Sequence, residues 1–266
     1  MFNRLRILFG PAPSGPVAAV PAGERVYAVG DVHGRLDLLE ALIAAIEADD
    51  AARGPAQTCV VLLGDLVDRG PDSAGVIAAA RAWGGQRRVR ILLGNHEEMM
   101  LRALDSDELM RHFLRYGGRE TILSYLSEPD TYPRADLAGA RALMQAAIPD
   151  EDLDFIRSFE DSIAIGDYLF VHAGVHPDTA LDKQRTGDLR WIREPFLSHP
   201  DSFGPVVVHG HTITDRPEVR HNRIGLDTGA YRSGRLTALG LHGSTRWLIE
   251  AQDLDGVISA ATRSMA

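Results

Sequence analysis

The residues of this chain best suited to chemistry sit in five short bursts, each directly after an apolar run. Val26–Val29 leads into Gly30-Asp31-Val32-His33-Gly34, and Cys59–Leu63 leads into Gly64-Asp65-Leu66-Val67-Asp68-Arg69-Gly70. Val89–Leu93 leads into Gly94-Asn95-His96-Glu97. The runs ending at Val171 and Val208 lead into His172-Ala173-Gly174 and His209-Gly210-His211-Thr212. Imidazole, carboxylate and amide donors together suit zinc, iron or manganese, whereas calcium and magnesium prefer shells of oxygen alone. Asp31 and His33 are two residues apart across a tight turn, so both can face one ion. Two ions roughly 3.5–4 Å apart need a shared ligand, and a carboxylate offers two oxygens for it. Asp65 is the natural bridge. The glycines let the backbone turn sharply beside the ions. A lone Asp-x-His or His-Gly-His is an ordinary solvated turn. Five bursts in order, each closing an apolar run, form a constellation.

The elements that must position these bursts follow from the pattern around them. Leu36–Ala48 carries Leu38, Leu39, Leu42, Ile43 and Ile46 at helical spacing, and Ser73–Trp83 carries Val76, Ile77 and Ala80 on one face. Apolar run, glycine turn and helix therefore alternate, as in an α/β protein with a partly parallel sheet. Continuous apolar runs suit strands buried on both faces. In such sheets the ligand crevice lies at the carboxyl ends of the strands, where the bursts fall. Residues 98–160 read as a helical insertion over one edge of the sheet, either shaping substrate access or adding packing only. Its His112, Arg115, Tyr116 and Arg119 read as a solvated helix face, with substrate contact as the alternative. Further on the pattern becomes strand: Ser162–Ile165, Tyr168–Val171, Val206–Val208, Ile224–Asp227, Leu236–Leu241 and Arg246–Glu250. Hairpin-like links at Gly166–Asp167, Ser233–Gly234 and His242–Gly243 point to antiparallel pairing there. The expected fold class is α/β, built as an α+β sandwich of two β-rich halves with helices outside.

Composition narrows the function. A chain of 266 residues supports one sizeable core. Its net charge of −9 gives no general reason to hold nucleic acid, so any phosphate specificity must be local. The one cysteine, Cys59, begins an apolar run and reads as core; a single thiol fits a reducing compartment and a cytoplasmic location. No apolar run approaches the roughly 20 residues of a membrane span, so stable membrane insertion is not expected. Residues 1–24 read as a flexible leader, with Phe2, Leu5, Ile7, Leu8 and Phe9 interrupted by Arg4 and Arg6. Residues 25–266 read as one catalytic domain. Oligomeric state is not legible.

Gly30–Gly34, Gly64–Gly70, Gly94–Glu97 and His172–Gly174 resemble, without a substitution, the motifs of the calcineurin-like metallophosphoesterases, and more closely those of the PPP phosphoprotein phosphatases. Trp191-Ile192-Arg193, Gly210-His211-Thr212 and Leu226-Asp227-Thr228-Gly229-Ala230 resemble the bacterial and phage branch. The likeness covers roughly residues 25–245. It implies a four-layer metallophosphoesterase-type β-sandwich and two divalent ions, manganese first, with iron or zinc fitting the same donors. One ion would be held by Asp31, His33 and Asp65, the other by Asp65, Asn95, His172 and His211, leaving His209 a neighbour. The resemblance implies direct in-line attack by a hydroxide that the ions hold. His96 would protonate the leaving group, oriented by Asp68; Arg69 would clamp the phosphate; Glu97 would orient rather than ligate. Arg193 is the expected second clamp and Arg190 its competitor. The implied substrate is a phosphoprotein or phosphopeptide carrying phosphoserine or phosphothreonine, with phosphotyrosine also within reach. The alternative is a symmetrical bis(5'-nucleosyl)-tetraphosphatase on the same metal core. Intact Asp68 and Glu97 favour the first, because the dinucleotide branch departs at both places.

Overall fold

A computed structural model describes residues 17–134 and 136–265. The chain opens with β1 (Glu24–Val29), α1 (Leu36–Ala52), β2 (Gln57–Leu62), α2 (Ser73–Gly84) and β3 (Val89–Ile91). These strands are parallel neighbours, with Val26 opposite Cys59 and Val61 opposite Arg90. Alternation within them serves two cores. Tyr27, Val29, Val60 and Leu62 face the helices, while Val26, Ala28, Cys59, Val61 and Leu63 face the other way. A strand buried on both faces must be apolar throughout, which is why these segments are continuous runs.

The chain then leaves the sheet edge through five helices: α3 (Asn95–Ala103), α4 (Asp107–Arg115), α5 (Gly118–Tyr125), α6 (Leu137–Ala147) and α7 (Asp150–Arg157). It returns to that same edge, where Glu160 donates its N–H to the Ile91 carbonyl and accepts from the N–H of Leu93. The expected helical insertion is thus an excursion that starts and finishes at β3.

A second sheet follows, from β4 (Ser162–Ile165), β5 (Tyr168–Val171), β6 (Val206–His209), β7 (Glu218–Val219) and β8 (Arg223–Gly225), with α8 (Thr186–Trp191) between β5 and β6. Its strand order is β4-β5-β6-β8-β7. The chain then passes through α9 (Ala230–Ser233) and finishes the first sheet with β9 (Arg235–His242), β10 (Thr245–Leu254) and β11 (Val257–Ser264). The order there is β11-β10-β9-β1-β2-β3, so β1 lies between its parallel partner β2 and the antiparallel β9. The two sheets share one core, in which Val26, Val61 and Leu63 meet Phe170, Val208 and Ile224. The outer face of the second sheet packs Val171 and Val207 against Leu189 and Phe196. Helices, sheet, sheet and an outer layer around α8 make the four layers.

Cys59 is buried between the sheets, and burial pushes its thiol pKa up. Two expectations change. Residues 17–23 are docked: Val20 is buried, its N–H donates to the Gly243 carbonyl at 3.0 Å, and the Ala19 N–H donates to Asp167 Oδ2 at 2.9 Å. An apolar side chain that caps the inter-sheet core ends the leader earlier than residue 24. The rest of the expected leader, residues 1–16, lies outside the described residues. Strand β11 was also not anticipated, because its small and polar side chains are mostly exposed and carry no apolar alternation.

Candidate metal centre

Each burst is a turn at the carboxyl end of a strand, and the turns are tight enough to be strained. His33, Asp65, Asp68, Arg69 and His211 all have φ between 47° and 73°. Side chains other than glycine rarely adopt this left-handed conformation, and clusters of such residues mark sites the surrounding fold over-determines. Two glycines show why. A Cβ on Gly210 would lie 2.0 Å from Asp31 Oδ1, and one on Gly94 would lie 2.2 Å from Asp65 Oδ1. Backbone must pass that close for the carboxylates to be brought in.

Glu97 fixes the Asp65 turn. Its carboxylate accepts the N–H groups of Asp65, Leu66, Val67 and Gly94 at 2.9, 2.7, 3.2 and 3.0 Å. Both oxygens are consumed by backbone, so Glu97 orients the turn and has no lone pair directed at an ion. Asp65 in turn accepts the N–H of His96 at 3.0 Å. The histidines are held by their far nitrogens. Nδ1 of His33 donates to the Val67 carbonyl and Nδ1 of His172 donates to the Leu63 carbonyl, both at 2.8 Å. A carbonyl only accepts, so the proton is on Nδ1 and the Nε2 lone pair turns to the centre. His33 Nε2 is 3.6 Å from Asp65 Oδ2, and His172 Nε2 is 3.4 Å from Asp65 Oδ1. Asn95 Oδ1 lies 3.0 Å from His172 Nε2 and 2.8 Å from His211 Nδ1. Asp31 Oδ2 accepts the N–H of His211 at 2.9 Å.

The donor set fits divalent cations on three grounds. The ligand atoms of Asp65, His172 and His211 lie within 4.8 Å of one another, and so do those of His33, Asp65 and His96. Asp65 belongs to both groups, as a bridge must. Asp31 Oδ1 and His211 Nε2 are buried without a hydrogen-bond partner, which is costly for polar atoms unless something else binds them. Burial, then the charges of Asp227 and Asp65, push the Asp31 carboxyl well above its usual range. Burial would raise Asp65 too, but the imidazoles of His172, His96 and His33 around it hold it well below the usual range. Carboxylates packed this closely in a water-poor site call for compensating positive charge.

Beside this centre, His96 Nδ1 lies 2.6 Å from Asp68 Oδ2. Thr121 Oγ1 donates to Asp68 Oδ1 at 2.6 Å, and the Asp68 N–H donates to Thr121 Oγ1 and Ser73 Oγ at 2.9 and 3.0 Å. Burial, with Asp65 adding to it, raises Asp68 well above its usual range, and burial lowers His96 to about 4. Arg69 Nη1 donates to His33 Nε2 at 2.8 Å, and its guanidinium carbon sits 5.0 Å above the Tyr231 ring.

His33, Asp65, His172 and His211 thus come together. Asn95 touches His172 and His211, and Asp31 joins through the His211 N–H. His96 and not Asp31 completes the group with His33 and Asp65, and Asp68 and Arg69 contact His96 and His33. Arg193 is exposed just past α8, and its side chain makes no hydrogen bond or ion pair among the described residues; its charge helps lower the His211 pKa, after burial and His172. Arg190 is occupied, with Nη2 2.6 Å from Asp161 Oδ1. His209 is turned away from the centre: its ring meets Phe196 edge-on at 5.0 Å, and burial lowers it to about 4, which leaves it neutral.

Four contributors carry no role in the sequence reading, although Asp227 stands in the quoted Leu226–Ala230 motif. Asp227 is buried beside Asp31, and burial pushes its carboxyl up to about 6. It follows an apolar strand as the five bursts do, and that was the available signal. Tyr231 meets His33 edge-on at 5.4 Å. From the insertion come Thr121 and Gly117, whose carbonyl accepts the Arg69 N–H at 3.0 Å. Nothing local in sequence links these two to the site.

A family model described as calcineurin-like phosphoesterase matches residues 24–260. A symmetrical bis(5'-nucleosyl)-tetraphosphatase of Acidovorax sp. (strain JS42) is 33% identical over 59% of this chain and 47% of its own length. The chain thus spans about half the length of such relatives in these alignments. Serine/threonine-protein phosphatase 1 of Salmonella typhimurium is 29% identical over 80% of this chain and 89% of its own. A solved structure of a candidate diadenosine tetraphosphatase superposes with a TM-score of 0.59 at 23% identity, covering 94% of this chain and 100% of that one, a likeness of fold.

Proposed function

From the premise that the chain belongs to the calcineurin-like phosphoesterases, we propose that it hydrolyses phosphate monoesters of poor leaving groups, with phosphoserine and phosphothreonine peptides as substrates. The observation that carries this reading is the His96–Asp68 contact of 2.6 Å, braced by Thr121. A serine or threonine alkoxide leaves only if it gains a proton, and an imidazole locked by a buried carboxyl can deliver one. Asp68 sets the ring orientation through Nδ1 and leaves Nε2 to face the ester oxygen.

Asp31, His33, Asp65, Asn95, His172 and His211 would hold two divalent ions. When bound, those ions supply charge that polarises the phosphoryl oxygens and makes water acidic enough to ionise near neutral pH. The chain's own residues do the rest. Arg69 presents a guanidinium fork that matches two phosphate oxygens, which a lysine cannot. Arg193, exposed and unpaired among the described residues, supplies a second positive group from the other sheet. Leu66 and Val67 are fully buried behind the turn and keep water away from it.

A second reading has support of its own. Most of the named relatives are symmetrical bis(5'-nucleosyl)-tetraphosphatases, and their names favour the dinucleotide over the protein substrate. A nucleoside diphosphate leaves as a stable anion and makes little demand on a proton donor, so the braced His96 favours the ester. The test compares kcat/KM for a phosphoserine peptide, a symmetrical dinucleoside tetraphosphate and an aryl phosphate with Mn²⁺, before and after chelation. The expected order places the peptide above the dinucleotide. A large preference for the dinucleotide overturns the first reading in favour of the second, and turnover that survives chelation overturns both.

A further inference from the structure

Two residues beyond His211 and one beyond Asp227, the chain forms the walls of a cleft of about 360 Å³. Its lining includes Ile213 and Thr228 together with three arginines, Arg216, Arg232 and Arg235, against one carboxylate, Asp215. In a chain of net charge −9 this is a local excess of positive charge. Arg216 and Arg232 are exposed, and their side chains make no hydrogen bond or ion pair among the described residues. Arg235 is anchored, with Nη1 donating to the Asp215 carbonyl at 3.0 Å, while its Nε is buried without a partner. The cleft is tied to the metal centre through Gly229. The Gly229 N–H donates at 2.8 Å to Oδ1 of Asp227, the carboxylate beside Asp31. A Cβ on Gly229 would lie 3.0 Å from Ile213 Cγ2 and 3.2 Å from Arg232 Nε. The absence of a side chain there lets Ile213 and Arg232 close over the turn.

We propose that this cleft is a second anion subsite, which receives an acidic group carried by the substrate beyond the scissile phosphate. Guanidinium groups without carboxylate partners bind phosphate or carboxylate oxygens in pairs. The group is either the carboxylate of a residue flanking a phosphoserine or an outer phosphate of a dinucleoside polyphosphate. The proposal deepens the phosphoesterase reading and rests on it. The three arginines act as specificity residues and touch none of the reacting atoms.

The test measures kcat/KM with Mn²⁺ for two pairs of substrates, on the wild-type chain and on the double variant Arg216→Ala, Arg232→Ala. One pair is a phosphoserine peptide with an Asp-Glu flank and the same peptide with a Gln-Gln flank. The other pair is a dinucleoside tetraphosphate and p-nitrophenyl phosphate. The wild type is expected to favour the acidic member of one pair, and the variant to lose about fivefold of that preference. The pair in which the loss occurs identifies the acidic group. Equal ratios in wild type and variant for both pairs overturn the subsite. Kd values for the same pairs, measured by calorimetry, keep the two readings apart. A Kd difference that the variant loses supports the subsite even if no metal-dependent turnover is found, a result that would overturn the hydrolase reading alone.

Discussion

Glu97 spends its carboxylate on backbone, and the site's geometry passes through it. Four backbone N–H groups converge on its two oxygens. Glu97→Gln replaces one acceptor oxygen by a donor, which faces N–H groups it cannot bond. Outer residues that orient ligands are commonly worth about 10–100-fold in metal affinity. The variant is therefore expected to need about that much more Mn²⁺ for half-maximal activity and to recover turnover at saturation. An unchanged Mn²⁺ dependence would show that the turn holds itself. His96→Asn removes the proposed proton donor and keeps the proposed ligands. It should cost about 10²–10⁴-fold on an alkyl phosphate and far less on an aryl phosphate, whose leaving group needs little protonation; equal losses on both would rule His96 out as the acid. At this scale much was legible in the sequence. Asp31, Asp65, Asn95, His172 and His211 each stand within three residues of the end of an apolar run, so a one-dimensional pattern carried three-dimensional information. Thr121 and Gly117 lie some fifty residues from the loop they support and reach it only through the packing of the insertion.

The elements explain why the turns can be so tight. Strands β1, β2, β5 and β6 are buried on both faces near their carboxyl ends and fixed in register, so strain there is held in place by the sheet behind it. The insertion adds a second support: Gly117, at φ 104°, places its carbonyl on the Arg69 N–H, and a Cβ there would meet Arg69 N at 2.9 Å. Gly117→Ala should therefore displace Arg69. A strained left-handed alanine costs on the order of 1 kcal/mol, which lowers Tm by roughly 2–4 °C in a chain of this size. KM for phosphate substrates should rise more than kcat falls; a lower Tm with unchanged KM would mean that the insertion only packs. Parallel strands with crossover helices were readable from alternating runs and helical spacing. Strand β11 was not, although Asp255-Gly256 before it, both at positive φ, is a strong hairpin signal. Its side chains gave no alternation to go with the turn.

At the scale of the whole molecule, the centre lies where two sheets meet. Asp31, Asp65 and Asn95 follow strands of the first sheet, and His172 and His211 follow strands of the second. An ion bound by both ties the layers together, so metal binding should stabilise the folded chain. Metal at about 100 times its Kd adds about 2.7 kcal/mol, and Mn²⁺ is expected to raise Tm and chelation to lower it. A Tm indifferent to both would mean that the ligand set forms without holding an ion. Phe170→Ala, in the shared core, should cost about 3–5 kcal/mol, read as a shift of the denaturant midpoint. Among the described residues no helix is long and apolar enough to cross a membrane. The strand order carries a consequence for how the chain is made. Strand β1 is flanked on one side by β2, soon after it in sequence, and on the other by β9, more than two hundred residues later. On the ribosome, Asp31 and the other proposed ligands emerge before residues 235–242, so the sheet that aligns them stays open until those residues have been translated. The fold thus sets a clock on the proposed chemistry: metal capture in full geometry would wait until β9 has closed over β1.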